Sequence, residues 1–299
     1  MSHREEGTCH TTSLAYRGVL RVSSADAKTF LQGLLTNDME KTDDGGAIHA
    51  GLLSPQGKIL HDFFVLRCGD DYLIDVPADD LEAFAKRLSF YKLRSDVVID
   101  EEPAMTVAAV WGDTSALPDE ALPDGALAVT DPRLPALGLR VLLPKGTALD
   151  ETACAPASEA DYHARRIALG VPQGGRDYAY GETFPHEALY DQLDGVAFKK
   201  GCYIGQEVVS RMQHRGTARK RVVPIEGNGP LEAGAEVMAG KLPAGKIGSV
   251  DGTYGLALLR LDRAASAQAQ GTPLRAGDTT ITVRLPDYAT FEMPAAEGV

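Results

Sequence analysis

The chain is short of several things. Four of its 299 residues are cysteine, one is tryptophan and 6% are aromatic. Cys9, Cys68, Cys154 and Cys202 stand far apart and form no CxxC pair. That argues against a zinc or iron–sulfur cradle built by this chain alone, and against a disulfide framework. The expectation is a soluble, cytoplasmic protein of a reducing compartment. No run of about 18 apolar residues exists, so no membrane span is expected. The N-terminal MSHREEGTCHTTS has neither the apolar stretch of a signal peptide nor the acid-poor character of a transit peptide. Basic residues are outnumbered, 30 Lys+Arg against 42 Asp+Glu for a net charge of −12, which argues against broad nucleic-acid binding. The motifs GxxxxGK[ST], GxSxG and a strand-following GxGxxG are missing too. Nucleotide hydrolysis, serine hydrolysis and hydride transfer on a Rossmann domain therefore lack support. His186 and His214 have no second ligand at metal spacing, so both read as surface or packing residues and no metal site is expected.

What is present is ordinary globular composition, 44% hydrophobic and 24% charged. The length suits about two domains of roughly 150 residues each. Strands are expected at 14–22, 47–53, 59–67, 71–76, 96–100, 104–111, 127–130 and 138–143. A helix after 14–22 carries Phe30, Leu31, Leu34 and Leu35 on one face, with Ser23 and Ser24 as candidate caps and Asn37-Asp38 as its stop. A second helix at 78–92 aligns Leu81, Phe84, Ala85, Leu88 and Tyr91, and a third at 158–169 begins at Ser158. Residues 113–126 read as a surface linker. Residues 170–220 read as a long irregular segment, ordered by its aromatics and of the kind that carries function. From 221 onward, glycine-separated strands at 221–226, 235–239, 246–251, 255–261 and 280–285 predict a small antiparallel barrel. The fold class is α+β with an all-β C-terminal domain.

Chemistry concentrates in Lys199–Arg221, KKGCYIGQEVVSRMQHRGTARKR, with seven Lys/Arg and one acid, Glu207. This local reversal of charge suits an anionic ligand such as a phosphate or a polyglutamate tail, and equally a solvated strand offsetting acidic neighbours. Cys202, between Gly201 and Gly205 and near Lys199, Lys200, Arg211 and Arg215, suits a reactive or ligating thiolate; a buried structural cysteine is the plainer reading. Glu187, in FPHEAL after Pro185, is placed either to bind an amino-pyrimidine ring or to sit as an acid in the first turn of a short helix. Gln206 and Glu207 reach a ligand or cap local backbone. Asp96 and Asp100 alternate on a strand, but an acid–base pair needs a cleft as well.

Lys200-Gly201-Cys202-Tyr203-Ile204-Gly205-Gln206-Glu207 resembles the K-G-C-[FY]-x-G-Q-E signature of YgfZ proteins. These belong to the folate-binding YgfZ/GcvT family, with the aminomethyltransferase (T-protein) of the glycine cleavage system. FLQGLLTND at 30–38, LLSPQGKILHDFFV at 52–65, FPHEALYDQLDGVAFKKGCYIGQE at 184–207, KIGSV at 246–250 and GLALLR at 255–260 resemble other blocks of that family, so nearly the whole chain is covered.

The resemblance implies a three-domain ring of GcvT-like type. Residues 10–220 would form a folate-binding region of two interleaved α+β subdomains, the second at roughly 50–130, and 221–299 a C-terminal β-barrel domain. It implies tetrahydrofolate as cofactor and a role in assembling or repairing iron–sulfur clusters, chiefly four-iron ones, with client or assembly proteins as partners and no membrane. By motif match Cys202 and Lys200 carry the chemistry. Glu187 takes the pterin, and Tyr203, Gln206 and Arg211 are further folate-pocket candidates. A folate-dependent aminomethyltransferase is the alternative, and a thiol redox sensor a third class. T-proteins carry Asn-Ala after the strand equivalent to 71–76; Val76-Pro77 stands there in this chain. No catalytic aspartate is carried over to Asp79 or Asp80, and this departure weighs against aminomethyl transfer.

Overall fold

A computed structural model describes residues 8–117, 121–149, 152–216 and 218–294. In chain order the elements are β1 (His10–Ser13), β2 (Arg17–Ser23), α1 (Ala27–Leu34), β3 (Ala47–Leu53), β4 (Ile59–Cys68), β5 (Asp71–Pro77), α2 (Leu81–Lys92), β6 (Val98–Glu101), β7 (Met105–Trp111), β8 (Leu127–Thr130), β9 (Leu139–Pro144), β10 (Ala155–Pro156), α3 (Glu159–Ala168), α4 (Gln206–Arg215), β11 (Lys220–Gly227), β12 (Glu236–Ala239), β13 (Leu242–Asp251), β14 (Tyr254–Arg260), α5 (Leu261–Ala269), β15 (Leu274–Ala276) and β16 (Thr279–Val283). They form two compact units. One holds the chain up to Leu52, His61–Tyr162 and Asp194–Ile204; the other holds Leu53–Leu60, His163–Leu193 and the chain from Gly205 onward.

The first unit contains two five-stranded sheets, ordered β3-β4-β5-β2-β6 and β10-β1-β7-β9-β8. Side chains alternate across a strand, and this alternation builds three cores. From the first sheet, Leu20, Val22, Phe63, Val65, Ile74 and Val76 face α1 and α2. Val19, Phe64, Leu66 and Leu73 turn the other way, onto Val107, Ala109, Trp111 and Leu142 of the second sheet. Ala108, Val110, Val141 and Leu143 fill the second sheet's opposite face. A strand covered on both sides reads as a continuous apolar run rather than an alternating one, hence Phe63-Phe64-Val65-Leu66.

The same alternation drives charges into the inter-sheet core. Asp75 shares its face with Leu73 and has no exposure. Arg17 Nε reaches its Oδ1 at 2.6 Å and Arg140 Nε donates to its Oδ2. Arg133 pairs with Asp131 at 2.7 Å and donates to the Tyr162 hydroxyl at 3.1 Å. Phe64 lies among the guanidiniums, with Arg140 3.9 Å and Arg133 4.8 Å from its ring centroid. A buried charge of this kind is tolerated only when paired and hydrogen-bonded.

The second unit is built on a closed barrel, β11-β14-β13-β12-β15-β16, which leaves no open edge. Leu261, Ala264 and Ala267 of α5 join its core. Arg166 is tied to Asp177 at 2.6 Å and to the Ser249 hydroxyl at 2.6 Å, and Asp177 Oδ1 accepts Ser249 N–H at 2.7 Å. Gly248 leaves room for this knot, because a Cβ there would lie 2.5 Å from Asp177 Oδ1.

The fold is α+β with a C-terminal antiparallel barrel, as expected. Local departures have physical causes. The strand expected at 14–22 is broken by a turn in which Arg17 N–H donates to Leu14 O. Neither Ser23 nor Ser24 caps α1; the cap position is Asp26, without a side-chain hydrogen bond, and Ser24 has φ +87°. Ser158 and Asp161 do form a reciprocal cap on α3. The stretch read as a surface linker buries Leu117 and packs Ala121, Leu122 and Ala126 beside it, with 118–120 outside the described residues. Helices α4 and α5 and strand β15 were not foreseen. Cys9 and Cys154 form one disulfide, which the cysteine spacing, read as arguing against a disulfide framework, does not predict. The reason is register: β1 and β10 pair in parallel with His10 beside Ala155, so the preceding cysteines stand side by side. Among the described residues no helix is long and apolar enough to cross a membrane.

His49, 5% exposed, packs 5.4 Å from the Phe64 ring centroid. Burial pushes its imidazole from an ordinary value near 6.5 down to about 4; Arg133 and Arg140 also disfavour its protonation, while Asp62 and Asp131 oppose the shift. Below pH 6.5 the unfolded chain takes up this proton and the folded chain does not, so stability falls between pH 6.5 and 4 by up to about 1.4 kcal/mol per pH unit from this group. Urea unfolding across that range should show a shallower pH slope in His49→Gln than in the wild type.

Candidate functional site

The segment Asp194–Ile204 is tied to the end of α1 and the residues after it. Thr36 Oγ1 donates to Gly195 O at 2.6 Å, and Ala197 N–H donates to Thr36 O at 2.9 Å. Asn37 Nδ2 donates to Asp194 O at 2.5 Å and His49 O at 2.8 Å. Lys41 pairs with Asp194 at 2.7 Å. The largest tie is Lys200. Its ammonium donates to three carbonyl oxygens, Gln32 at 2.7 Å, Leu35 at 2.8 Å and Asn37 at 2.7 Å. Gln32 lies in the last turn of α1, where carbonyls lack helical donors and the helix dipole favours a cation. Burial pushes this ammonium down to about 8, opposed by Asp38; it stays charged at neutral pH.

Around this anchor the octet divides its tasks. Cys202 is exposed. Tyr203 is 7% exposed, its ring centroid lies 5.4 Å from Lys200 Nζ, and burial raises its phenol well above the ordinary range. Ile204 packs onto the helix-side core of the first sheet. Gly205 begins α4 with φ +80°, and a Cβ there would stand 2.7 Å from Ser54 O. The turn Ser54–Gly57 meets the helix equally closely, since a Cβ on Gly57 would lie 2.9 Å from that of Val208. Gly201 is different. It lacks a positive φ, and a Cβ built on it meets nothing within 4 Å among the described residues.

The other predicted residues have different settings. Glu187 is half-buried and its Oε2 accepts Phe184 N–H at 2.9 Å. Pro185 opens a winding of turns rather than a helix, with Leu189 at φ +63°. Lys58 lies beside this turn, 3.1 Å from the Phe184 ring centroid, and donates to Glu182 O. Gln206 is the first residue of α4 and half-buried. Arg211 is exposed and pairs with Glu207 at 2.7 Å. Lys200, Cys202 and Tyr203 thus fall in the first unit, and Glu187, Gln206 and Arg211 in the second.

The basic window is less free than its composition suggests. Lys200 holds carbonyls, and Arg221, 7% exposed, pairs with Asp191 and donates to His186 O. His186 is a packing residue against Gln213, while His214 is exposed. Asp96 and Asp100 are exposed. Two surface depressions, about 650 Å³ beside Asp26, Leu93, Arg94 and Ser95 and about 330 Å³ beside Pro230 and Thr279, contain none of the predicted site residues. Thr36, Asn37 and Gln32 were missed. The available signal was a polar Thr-Asn pair directly after an apolar helix, where burial requires partners.

The two glycines of the octet should respond oppositely. Gly205→Ala places a Cβ in a left-handed residue and against Ser54, and should cost about 1–3 kcal/mol. Gly201→Ala should change stability by less than about 0.5 kcal/mol. Thermal unfolding of the two variants checks both.

Comparison with known proteins places this geometry. A family profile described as "CAF17, C-terminal beta-barrel domain" matches residues 219–291. The chain is 34% identical over 257 residues to the iron–sulfur cluster assembly factor IBA57 homolog, mitochondrial, of Neurospora crassa, covering 74% of this chain and 57% of that protein. It is 33% identical to the IBA57 factor of Mus musculus and 32% identical to that of Homo sapiens, covering 82% and 81% of this chain and 75% of each relative. Among solved structures it is similar to the glycine cleavage system aminomethyltransferase T of Bartonella henselae, with a TM-score of 0.77, 16% identity, and coverage of 97% of this chain and 88% of that one. That likeness shows a GcvT-like fold. The relatives' names call them mitochondrial, which overturns the expectation of a cytoplasmic protein, an expectation built on composition and an N-terminal stretch that carry no direct record of compartment. The relatives also point past the YgfZ proteins: the chain belongs to the IBA57 family of iron–sulfur cluster assembly factors.

Proposed function

We propose that the protein is a tetrahydrofolate-binding factor for assembly or repair of iron–sulfur clusters, chiefly four-iron ones, in client enzymes, with Cys202 as its working thiol. The observation that carries this reading is an exposed cysteine on a firmly tied segment, inside a YgfZ-type octet, in a chain whose relatives are named as cluster assembly factors. A thiolate is a suitable ligand for an iron of a cluster in transit. Gly201 supports the reading from the side of access. The fold makes no steric demand for glycine there, and a missing side chain next to the thiol leaves room for a bulky cargo or a partner's backbone.

The folate part rests on Glu187. Its Oε2 is occupied by Phe184 N–H, but a carboxylate has about four acceptor positions, so it retains the capacity to take the amino-pyrimidine edge of a pterin. The residues fit that task. Tetrahydrofolate, when bound, would supply one-carbon carrier chemistry; Glu187 would orient it, and Gln206 and Arg211 of the same unit are the further contacts proposed from the motif.

Two measurements test the reading. In a host deleted for its own copy, wild-type protein should restore the specific activity of four-iron enzymes, and Cys202→Ala should not, at equal soluble levels. Gly201→Val should stay folded, keep its reactivity toward a small alkylating reagent, and lose rescue. Equal rescue by Cys202→Ala would reduce the thiol to a bystander. For folate, Glu187→Gln keeps an acceptor for Phe184 N–H and removes the charge. Loss of a charged hydrogen bond should weaken tetrahydrofolate binding by about tenfold or more in calorimetry, and unchanged affinity would remove Glu187 from the site.

A further inference from the structure

The lysine of the octet is expected by resemblance to share in the chemistry. Its ammonium is engaged with the main chain instead. All three ammonium hydrogens are committed at 2.7–2.8 Å to the carbonyl oxygens of Gln32, Leu35 and Asn37. Those oxygens belong to the last turn of α1 and to the residues after it, on the far side of the chain from the octet by more than 160 positions. An ammonium is a compact cation with three rotatable donors, and three converging carbonyls suit it where a planar guanidinium would not fit. Two residues on, Cys202 is exposed, while Tyr203 and Ile204 are packed into the unit. The thiol therefore sits on a short arch whose one end is a cation clamp and whose other end is a packed aromatic and aliphatic pair.

We propose that Lys200 is a positioning residue, which holds Cys202 in a single presented geometry by clamping the carbonyls at the end of α1. This rests on the reading of Cys202 as the working thiol. Charge and hydrogen-bond donors are what the clamp needs, and the groups facing the ammonium are Asp38, beyond α1, and the ring of Tyr203.

The test uses the full chain with Cys68→Ser, so that Cys202 is the free thiol to label. Cys202 is alkylated with bromotrifluoroacetone and its fluorine resonance recorded. The Lys200 protein should give one narrow line. Lys200→Ala should give a broadened or split line, and n-propylammonium, which replaces the three carbons and the ammonium removed, should restore it. Tetramethylammonium, a cation without donors, should not. Lys200→Met keeps most of the packing and removes only the donors; it should broaden the line as well, and serves if the alanine variant does not fold. A narrow wild-type line in Lys200→Met, or equal restoration of Lys200→Ala by the two cations, would overturn the proposal. Failure of the thiol reading looks different: client-enzyme activity would survive Cys202→Ala, whatever the fluorine line of the Lys200 variants shows.

Discussion

Everything proposed for the octet depends on one set of contacts, the docking of Asp194–Ile204 onto the end of α1. Thr36 and Asn37 satisfy its backbone, and Lys200 closes the arrangement by donating three charge-assisted hydrogen bonds to main-chain oxygens. Such bonds are stronger than neutral ones, and a buried polar group without partners is costly. The two halves of this interface therefore stabilise each other: the carbonyls need a donor, and the ammonium needs acceptors. Lys200 and Tyr203 are held in the unit for structural reasons, and between them Gly201 and Cys202 are left facing solvent.

The first unit solves a harder problem than a simple sandwich. Its first sheet is covered on both faces, so half of its side chains point at helices and half at a second sheet. Asp75 falls on the inward face by register alone, and so do Arg17 and Arg140. The structure compensates with a network in which each carboxylate meets guanidinium groups and an aromatic ring lies among the cations. Removing one member of such a network would leave the others buried and unpaired, which is strongly destabilising.

The second unit relies on glycine where backbones approach. Gly205, Gly57 and Gly248 each occupy a place where a Cβ would strike a neighbour. Gly201 does not, and that contrast separates a glycine required by the fold from one that the fold leaves unexplained. The distinction is invisible in the octet as written, where Gly201 and Gly205 have the same letter and stand four positions apart.

Periodicity alone located β3 at 47–53 and β8 at 127–130 to the residue, and placed α2, α3 and most of the barrel strands within a few positions, because two-faced burial leaves an apolar pattern along the chain. It missed α4, which buries Val209 and little else, and α5, whose packed face is largely alanine; neither shows a strong apolar stripe. The α+β class, the barrel and the octet were thus properties of the sequence, since they rest on local spacing. The Cys9–Cys154 bond, the inward charges around Asp75 and the clamp on Lys200 were decided only by tertiary structure. Each joins residues dozens to more than a hundred positions apart, and no local pattern records which distant carbonyl, carboxylate or thiol the folded chain will bring within bonding distance.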